Sequence, residues 1–191
     1  MKNNILYYQF VFFVIIILTS CSSKLKKNNN SITSDTLLTK TIFFPNSLLK
    51  LHGTQFQKID SFILRIENKT KIISIIDGTC MSCIINLLNT TDSAFKSIIL
   101  KDNTLLVFIL NVSKRDSAFF MRNLQPAIKV GGIILWDNNY NFERQNNLFT
   151  SDVNLRTFMV NKKNRIIQYG NPIMKPDVIF EYKEKLKSSI K

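Results

Sequence analysis

The spacing of apolar and polar residues along the chain predicts alternating strands and helices. Residues 61–66 and 71–76 are β-prone runs, and the polar residues 67–70 between them are typical of a turn. From Met81 onward, apolar residues recur at helical spacing, with an interruption or kink expected at 90–92. Residues 105–112 form a continuous apolar run, which predicts a strand buried on both faces. The pattern also predicts a β-prone piece at 41–44, a helix at 116–124 that ends before Pro126, a strand at 133–136, a hairpin of 156–160 and 165–169, and a final helix at 176–187.

This order of elements indicates an α/β fold, with helices flanking a central mixed sheet and an N-terminal β extension. Residues 37–191 are predicted to form one domain, since a chain of 191 residues favours a single core. An apolar fraction of 45% and 15 Phe residues are enough to fill that core. The low counts of 5 Gly and 4 Pro argue against a low-complexity chain.

The first 36 residues have a different pattern. Lys2 precedes an almost wholly apolar stretch at 5–18, which suits a signal peptide and is shorter than the roughly 20 residues of a membrane-spanning helix. The sequence Leu-Thr-Ser-Cys at 18–21 resembles the lipobox of bacterial lipoproteins. The resemblance implies that signal peptide 1–20 is removed and that lipid, palmitate included, is attached to Cys21. An uncleaved anchor helix and an ordinary secretory signal are the alternatives. Residues 21–36 are polar and are predicted to be a flexible tether.

The net charge of +13 raises the question of which partners the chain meets. The positive residues are scattered rather than clustered, and an exported protein rarely meets nucleic acid, so we expect no nucleic-acid partner. Lys24, Lys26 and Lys27 follow the predicted lipid site. Each would add about 1 kcal/mol of attraction to an anionic membrane. The predicted location is therefore membrane-anchored and extracytoplasmic, at the periplasmic face or the cell surface.

Cys80 and Cys83 are the predicted chemical centre. With Cys21 assigned to lipid, they are the remaining pair, and an oxidising compartment allows them to form a disulfide. They lie where a predicted strand gives way to a helix, whose N-terminus stabilises an anion. The pKa of the Cys80 thiol is therefore expected below its free value of about 8.5. We expect Cys80 to be the attacking nucleophile and Cys83, one turn further and more buried, to resolve the mixed disulfide.

Two other roles for the cysteine pair remain open. A purely structural disulfide is one, although closing so short a loop gains only about 2 kcal/mol. A metal site is the other. Structural zinc needs four ligands, whereas the chain offers Cys80, Cys83 and the sole histidine, His52, so no metal and no diffusible cofactor is expected. Copper held by these three residues is the weaker alternative, since thiolates suit Cu(I).

Residues 71–76, the loop DGTCMSC at 77–83, the helix after it and the hairpin RTFMVNKKNRIIQYG at 156–170 resemble a thioredoxin-like domain. With the segment GNPI at 170–173, the chain resembles membrane-tethered thioredoxin-like lipoproteins of the Bacteroidetes more than cytosolic thioredoxin. It covers roughly residues 60–187. It implies a thioredoxin-like fold and a thiol–disulfide oxidoreductase outside the cytoplasm. The partners would be exported cysteine-containing proteins and a separate redox partner.

Several positions around the cysteines depart from thioredoxins. Thr79 stands where Trp is usual before the first cysteine, Ser82 where Pro is frequent, and Ser74 where thioredoxins have a buried acid. The position of the cis-proline is matched by Arg156, followed by Thr157.

These departures carry two expectations. Arg156 and Thr157 are predicted to line the substrate-binding groove, and Arg156 to supply positive charge that favours a thiolate. The missing residues also motivate a rival hypothesis. In it, the chain is a non-catalytic binding or scaffold lipoprotein whose Cys80–Cys83 bond stays oxidised.

Overall fold

The computed structural model describes residues 38–59, 66, 68–102 and 104–189. The predicted signal peptide, the lipid site at Cys21, the tether at 21–36 and most of the strand predicted at 61–66 lie outside these residues. Ile66, the last residue of that run, has helical rather than extended conformation.

Seven strands form one mixed sheet in the described part of the chain, in the order β2-β1-β5-β4-β3-β6-β7. The central strands β3, β4 and β5 are parallel, and the outer strands join them antiparallel. This confirms the predicted central mixed sheet. The strands are β1 (Leu49–His52), β2 (Gln55–Lys58), β3 (Lys71–Asp77), β4 (Leu105–Asn111), β5 (Ile133–Trp136), β6 (Thr157–Val160) and β7 (Ile166–Tyr169).

Strands β3 and β4 are buried on both faces, which the continuous apolar run at 105–112 predicted for β4. Their parallel pairing brings Asp77 opposite Asn111 at the end of both strands. The buried Lys71 begins β3, and its ammonium donates hydrogen bonds to the carbonyl oxygens of Ile66 and Lys69, at 2.9 and 2.7 Å. These bonds compensate for removing that charge from water.

Helix α1 (Met81–Asp102) follows β3 and packs on one face of the sheet beside the last helix, α4 (Val178–Ser189). Phe95 and Tyr182 join the two helices edge to face, with ring centroids 5.0 Å apart. The interruption expected at 90–92 is wrong, because α1 runs through these residues. Thr91 is buried, and the Asp92 carboxylate accepts a hydrogen bond from the Gly132 amide.

The helix predicted at 116–124 takes a different form. Only α2 (Ser117–Phe119) is α-helical, and it is followed by a π-helical turn at Phe120–Leu124 and a 3₁₀ turn at Gln125–Ala127. The π-helical turn ends at Leu124, before Pro126 as predicted, and Pro126 lies inside the 3₁₀ turn. A proline has no amide hydrogen to donate to the preceding turn and crowds its carbonyl, so a regular α-helix cannot continue there.

The other face of the sheet is covered by residues 42–48 and Ile59, by the short helix α3 (Asn141–Gln145) and by a 3₁₀ turn at Val153–Arg156. The piece predicted at 41–44 forms only an isolated bridge, between Thr41 and Arg165. Strands β1 and β2 form the N-terminal extension. Their short, partly charged sequences did not reveal them as strands. The predicted β6–β7 hairpin is confirmed.

In the described parts of the chain, no helix combines the length and the apolar character needed to cross a membrane.

Candidate redox site

Cys80 and Cys83 lie at the junction between β3 and α1 and are joined by a disulfide. Cys80 immediately precedes the first residue of α1, and the Cys83 amide donates to the Cys80 carbonyl at 3.0 Å. The pair therefore occupies the first turn, where helical amides have no partner within the helix. This agrees with the junction predicted from the sequence.

Both cysteines are exposed, so the expectation that Cys83 would be more buried is wrong. The reason is the direction of the buried stripe of α1, which contains Ile84, Leu88 and Phe95. Cys83 precedes Ile84 by one residue and is therefore turned by about 100° from that stripe. Both cysteine residues are therefore exposed to solvent, and Cys80 differs from Cys83 in lying directly before the first residue of α1.

The loop before the cysteines is held by its first two residues. The Asp77 carboxylate accepts a hydrogen bond from the Thr79 amide at 2.9 Å. The Gly78 amide donates to the Asn111 carbonyl at 2.8 Å. A Cβ on Gly78 would overlap this carbonyl oxygen, so only glycine lets the loop pass so close to β4.

Arg156 lies beside this loop. Its guanidinium forms an ion pair with Asp77 at 3.4 Å and donates to the Thr150 carbonyl at 3.3 Å, while its buried Nε has no partner among the described residues. No cis peptide bond occurs in the described ranges, so the cis-proline geometry is absent here. The positive charge expected near the cysteines is present, but Asp77 partly neutralises it.

Thr157 does not turn its side chain toward solvent. It is 1% exposed, and its hydroxyl contacts that of Ser74 at 3.0 Å. The predicted role of the Thr157 side chain in substrate binding therefore has no support in its position. Ser74, which stands where thioredoxins have an acid, leaves this pair uncharged.

A buried acid is nevertheless present, on the opposite face of the sheet. Glu143 on α3 is 2% exposed, and its Oε2 accepts a hydrogen bond from the Asn111 side-chain amide at 2.5 Å. Asp137 is also buried and accepts a hydrogen bond from the Phe142 amide. We call Asp77, Asn111, Asp137, Glu143 and Arg156 the polar cluster.

Glu143 was not among the residues predicted from the sequence. A single acid in a five-residue helix carries no periodic signal. The one available sign was Asn111, a polar residue that ends an apolar strand beside the end of β3.

Two carboxyl groups of the polar cluster have shifted pKa values, in opposite directions. Burial raises the pKa of Glu143 above its ordinary value, although Arg156 and the bond from Asn111 oppose this. Burial also raises the pKa of Asp77, but hydrogen bonds from Thr79 and the contact with Arg156 outweigh it. The pKa of Asp77 is therefore lowered.

The copper alternative gains no geometric support. His52 lies in β1, which β5 and β4 separate from the strand that leads to the cysteines. Within the described ranges, no group of three or more His, Cys, Asp or Glu residues could hold a metal ion.

Neither protein-family models nor curated proteins match this sequence. Several solved structures, however, are similar to this chain. A thioredoxin-like protein of Porphyromonas gingivalis has a TM-score of 0.51 at 17% identity, covering 76% of this chain and 90% of the other. The fold is thioredoxin-like. AhpC of Enterococcus faecalis has a TM-score of 0.56 at 13% identity, covering 81% and 96%. A protein described as the thiol:disulfide interchange protein DsbE, of Chlorobium tepidum, has a TM-score of 0.51 at 12% identity, covering 78% and 99%.

Identities this low establish the fold and leave the activity open. The structural neighbours include thioredoxin-like thiol–disulfide oxidoreductases, two of them from Bacteroides vulgatus. In the thioredoxin-like fold of the present chain, the Cys80–Cys83 disulfide lies at the junction of a central strand and the following helix.

Proposed function

We propose that the chain is a lipid-anchored extracytoplasmic thiol–disulfide oxidoreductase that exchanges electrons through Cys80 and Cys83. The observation that carries the proposal is the exposed disulfide at the N-terminus of α1 in a thioredoxin-like fold. Exposure matters because disulfide exchange requires a thiolate to approach a sulfur atom in line with the bond that breaks.

The reaction needs only the two cysteines. In the reduced protein, the Cys80 thiolate attacks a substrate disulfide, and the released substrate thiolate takes a proton from water. The resulting mixed disulfide joins Cys80 to the substrate. The Cys83 thiolate then attacks the Cys80 sulfur, which releases the second substrate thiol and restores the Cys80–Cys83 bond. Two electrons pass to the substrate, and a partner dithiol supplies them again; the same steps in reverse oxidise a substrate dithiol.

The rest of the first helical turn supports the assignment of Cys80 as nucleophile. Cys80 directly precedes α1, and the N-terminus of a helix stabilises negative charge. The Ser82 hydroxyl lies 3.5 Å from the Cys80 sulfur and can donate a hydrogen bond to a thiolate. The Asp77–Arg156 ion pair lies beside the same loop.

The anchor at Cys21 and the tether at 21–36 are the second half of the proposal. They would hold the domain at the membrane and give it reach toward exported cysteine-containing proteins and a redox partner. The lipobox-like sequence motivates this assignment. Mass spectrometry of protein isolated from membranes tests it, with residue 21 as the expected N-terminus and acyl chains on Cys21. An unmodified Cys21 or a retained 1–20 segment contradicts it.

Disulfide reduction by single-cysteine variants tests the redox activity. We expect Cys80→Ser to abolish reduction of a model disulfide. Cys83→Ser should accumulate the mixed disulfide, because the resolving thiol is missing. Cys21→Ser is the matched control and should keep full activity while losing membrane attachment. A Cys80→Ser protein as fast as the wild type would contradict the proposal.

The rival candidate is a binding or scaffold lipoprotein with a structural disulfide. The uncharged Ser74–Thr157 pair and the absence of a cis-proline favour it. The reduction potential separates the two functions: a value below about −300 mV indicates a structural bond, and a higher value a redox-active one. Thiol trapping in cells should then find part of the protein reduced if the bond is redox-active.

A further inference from the structure

Glu143 is a buried acid that the proposed exchange reaction does not use. Its carboxylate is linked to the cysteine loop through one residue. Asn111 donates from its side chain to Glu143, accepts from the Gly78 amide with its backbone carbonyl, and pairs with Asp77 in the sheet. Glu143 is thus connected to the segment that positions Cys80 without contacting either sulfur.

The charged and titratable groups that face Glu143 come from four elements. They are Asp77 at the end of β3, Asp137 after β5, Tyr140 before α3 and Arg156 at the end of the 3₁₀ turn. Arg156 is the single cation among them, and its contact is with Asp77. A further negative charge near the polar cluster would therefore be repelled by more acidic groups than it would be attracted by basic ones.

Asn111 can serve both protonation states of Glu143. Its Nδ2 donates to the carboxylate, and its Oδ1 is buried without a partner among the described residues. If the side-chain amide of Asn111 rotated so that its Oδ1 and Nδ2 exchanged places, Oδ1 would accept a hydrogen bond from a protonated Glu143. The site thus has a partner for the carboxylate and, after a rotation, for the carboxylic acid.

We propose that Glu143 is a positioning residue of the redox centre, whose carboxyl group becomes more highly protonated when the Cys80–Cys83 bond is reduced. The proposal rests on the redox function proposed above. Reduction by a dithiol breaks the S–S bond and delivers two electrons, and one proton is bound by Cys83 while Cys80 stays a thiolate. The new negative charge makes ionised Glu143 less favourable, so its carboxyl group is protonated in a larger fraction of the reduced molecules, and the proton comes from water. When the disulfide re-forms, that fraction falls again and the proton returns to water.

The first test titrates Glu143 in wild-type protein. The chain has only four Glu residues, so ¹³C-labelled glutamate gives an assignable NMR spectrum. We expect the pKa of Glu143 to be higher by about 0.5 in the protein reduced with dithiothreitol than in the oxidised protein. The exposed Glu184 is the control, and its resonance should be the same in both states. Equal values for Glu143 in the two states would overturn the proposal.

The second test measures the reciprocal effect on Cys80. Because coupling between two sites is mutual, Glu143→Gln should speed alkylation of Cys80 about threefold at a pH below the midpoint of its profile. It should also remove one of two ionisation steps from that profile. Glu143→Asp should restore the step, and Glu184→Gln should leave the profile of the wild type unchanged.

The outcomes distinguish the two proposals. If the wild-type disulfide is reduced and exchanges with substrate, but Glu143→Gln has the profile of the wild type, the role of Glu143 is refuted and the oxidoreductase stands. If the wild-type bond resists dithiothreitol, the redox function itself fails. If Glu143→Gln does not fold, the NMR titration of the wild type decides the matter alone.

Discussion

The two faces of the sheet carry different polar groups near the C-terminal end of β3, where the cysteine loop begins. On the face of α1, the buried polar groups next to β3 are the uncharged hydroxyls of Ser74 and Thr157. On the opposite face, Asp77, Glu143 and Arg156 place three ionisable groups around the loop. Side chains alternate along a strand, so residues only a few positions apart in β3 face these different environments. The charged groups near the redox centre therefore lie on the face of the sheet opposite α1, the helix whose first turn carries the cysteines.

The largest expected effect concerns Gly78, the glycine that joins β3 to the cysteine loop. Gly78→Ala should lower the free energy of unfolding by about 3 kcal/mol, because its Cβ would overlap the Asn111 carbonyl. Urea denaturation measures the loss. Gly131→Ala is the matched control and should be nearly neutral, since the nearest atom to its Cβ is 3.9 Å away. A neutral Gly78→Ala would show that the loop and β4 are not closely packed.

The second prediction concerns the uncharged face. Ser74→Ala should cost about 1 to 2 kcal/mol, because it leaves the buried Thr157 hydroxyl without its partner. The same denaturation assay applies. Ser188→Ala removes an exposed hydroxyl that bonds to the Lys185 carbonyl, and it should change stability by less than about 0.5 kcal/mol. Equal losses for the two variants would argue against a special role of the buried pair.

The smallest expected effects concern how the free energy of unfolding depends on pH through Asp77 and Glu143. The lowered pKa of Asp77 contributes stability that is present above its ordinary value of 3.8 and is lost as the pH falls through the folded-state pKa. The raised pKa of Glu143 has the opposite sign. Its contribution is complete below its ordinary value of 4.5 and declines as the pH rises toward the folded-state pKa.

Denaturation curves between pH 3 and pH 7 check these signs. Asp77→Asn should lose stability relative to the wild type mainly above pH 3.8, by less than about 1 kcal/mol, since its ion pair is partly exposed. Glu143→Gln should gain relative to the wild type as the pH rises above 4.5. Two variants with the same pH dependence would mean that their carboxyl groups share one environment.

The sequence by itself determined the elements whose residues carry a strong local pattern. The apolar runs that became β3 and β4, the hairpin of β6 and β7 and the junction that bears Cys80 and Cys83 were all predictable. In each case the signal lies within a few neighbouring residues, as hydrophobic periodicity or as a motif of fixed spacing. The order of these elements indicated an α/β fold, and the resemblance of their motifs implied that this fold is thioredoxin-like.

Only the tertiary structure decided what surrounds the cysteines. Cys83 is exposed because the buried stripe of α1 begins at Ile84. Arg156 meets Asp77 across 79 residues of sequence, and Glu143 meets Asn111 across 32. Pairings at such separations depend on which elements the fold brings together at the C-terminal end of the parallel strands. A local pattern of polar residues does not say which elements meet there. The charged and buried groups around the redox centre are therefore known only from the tertiary structure.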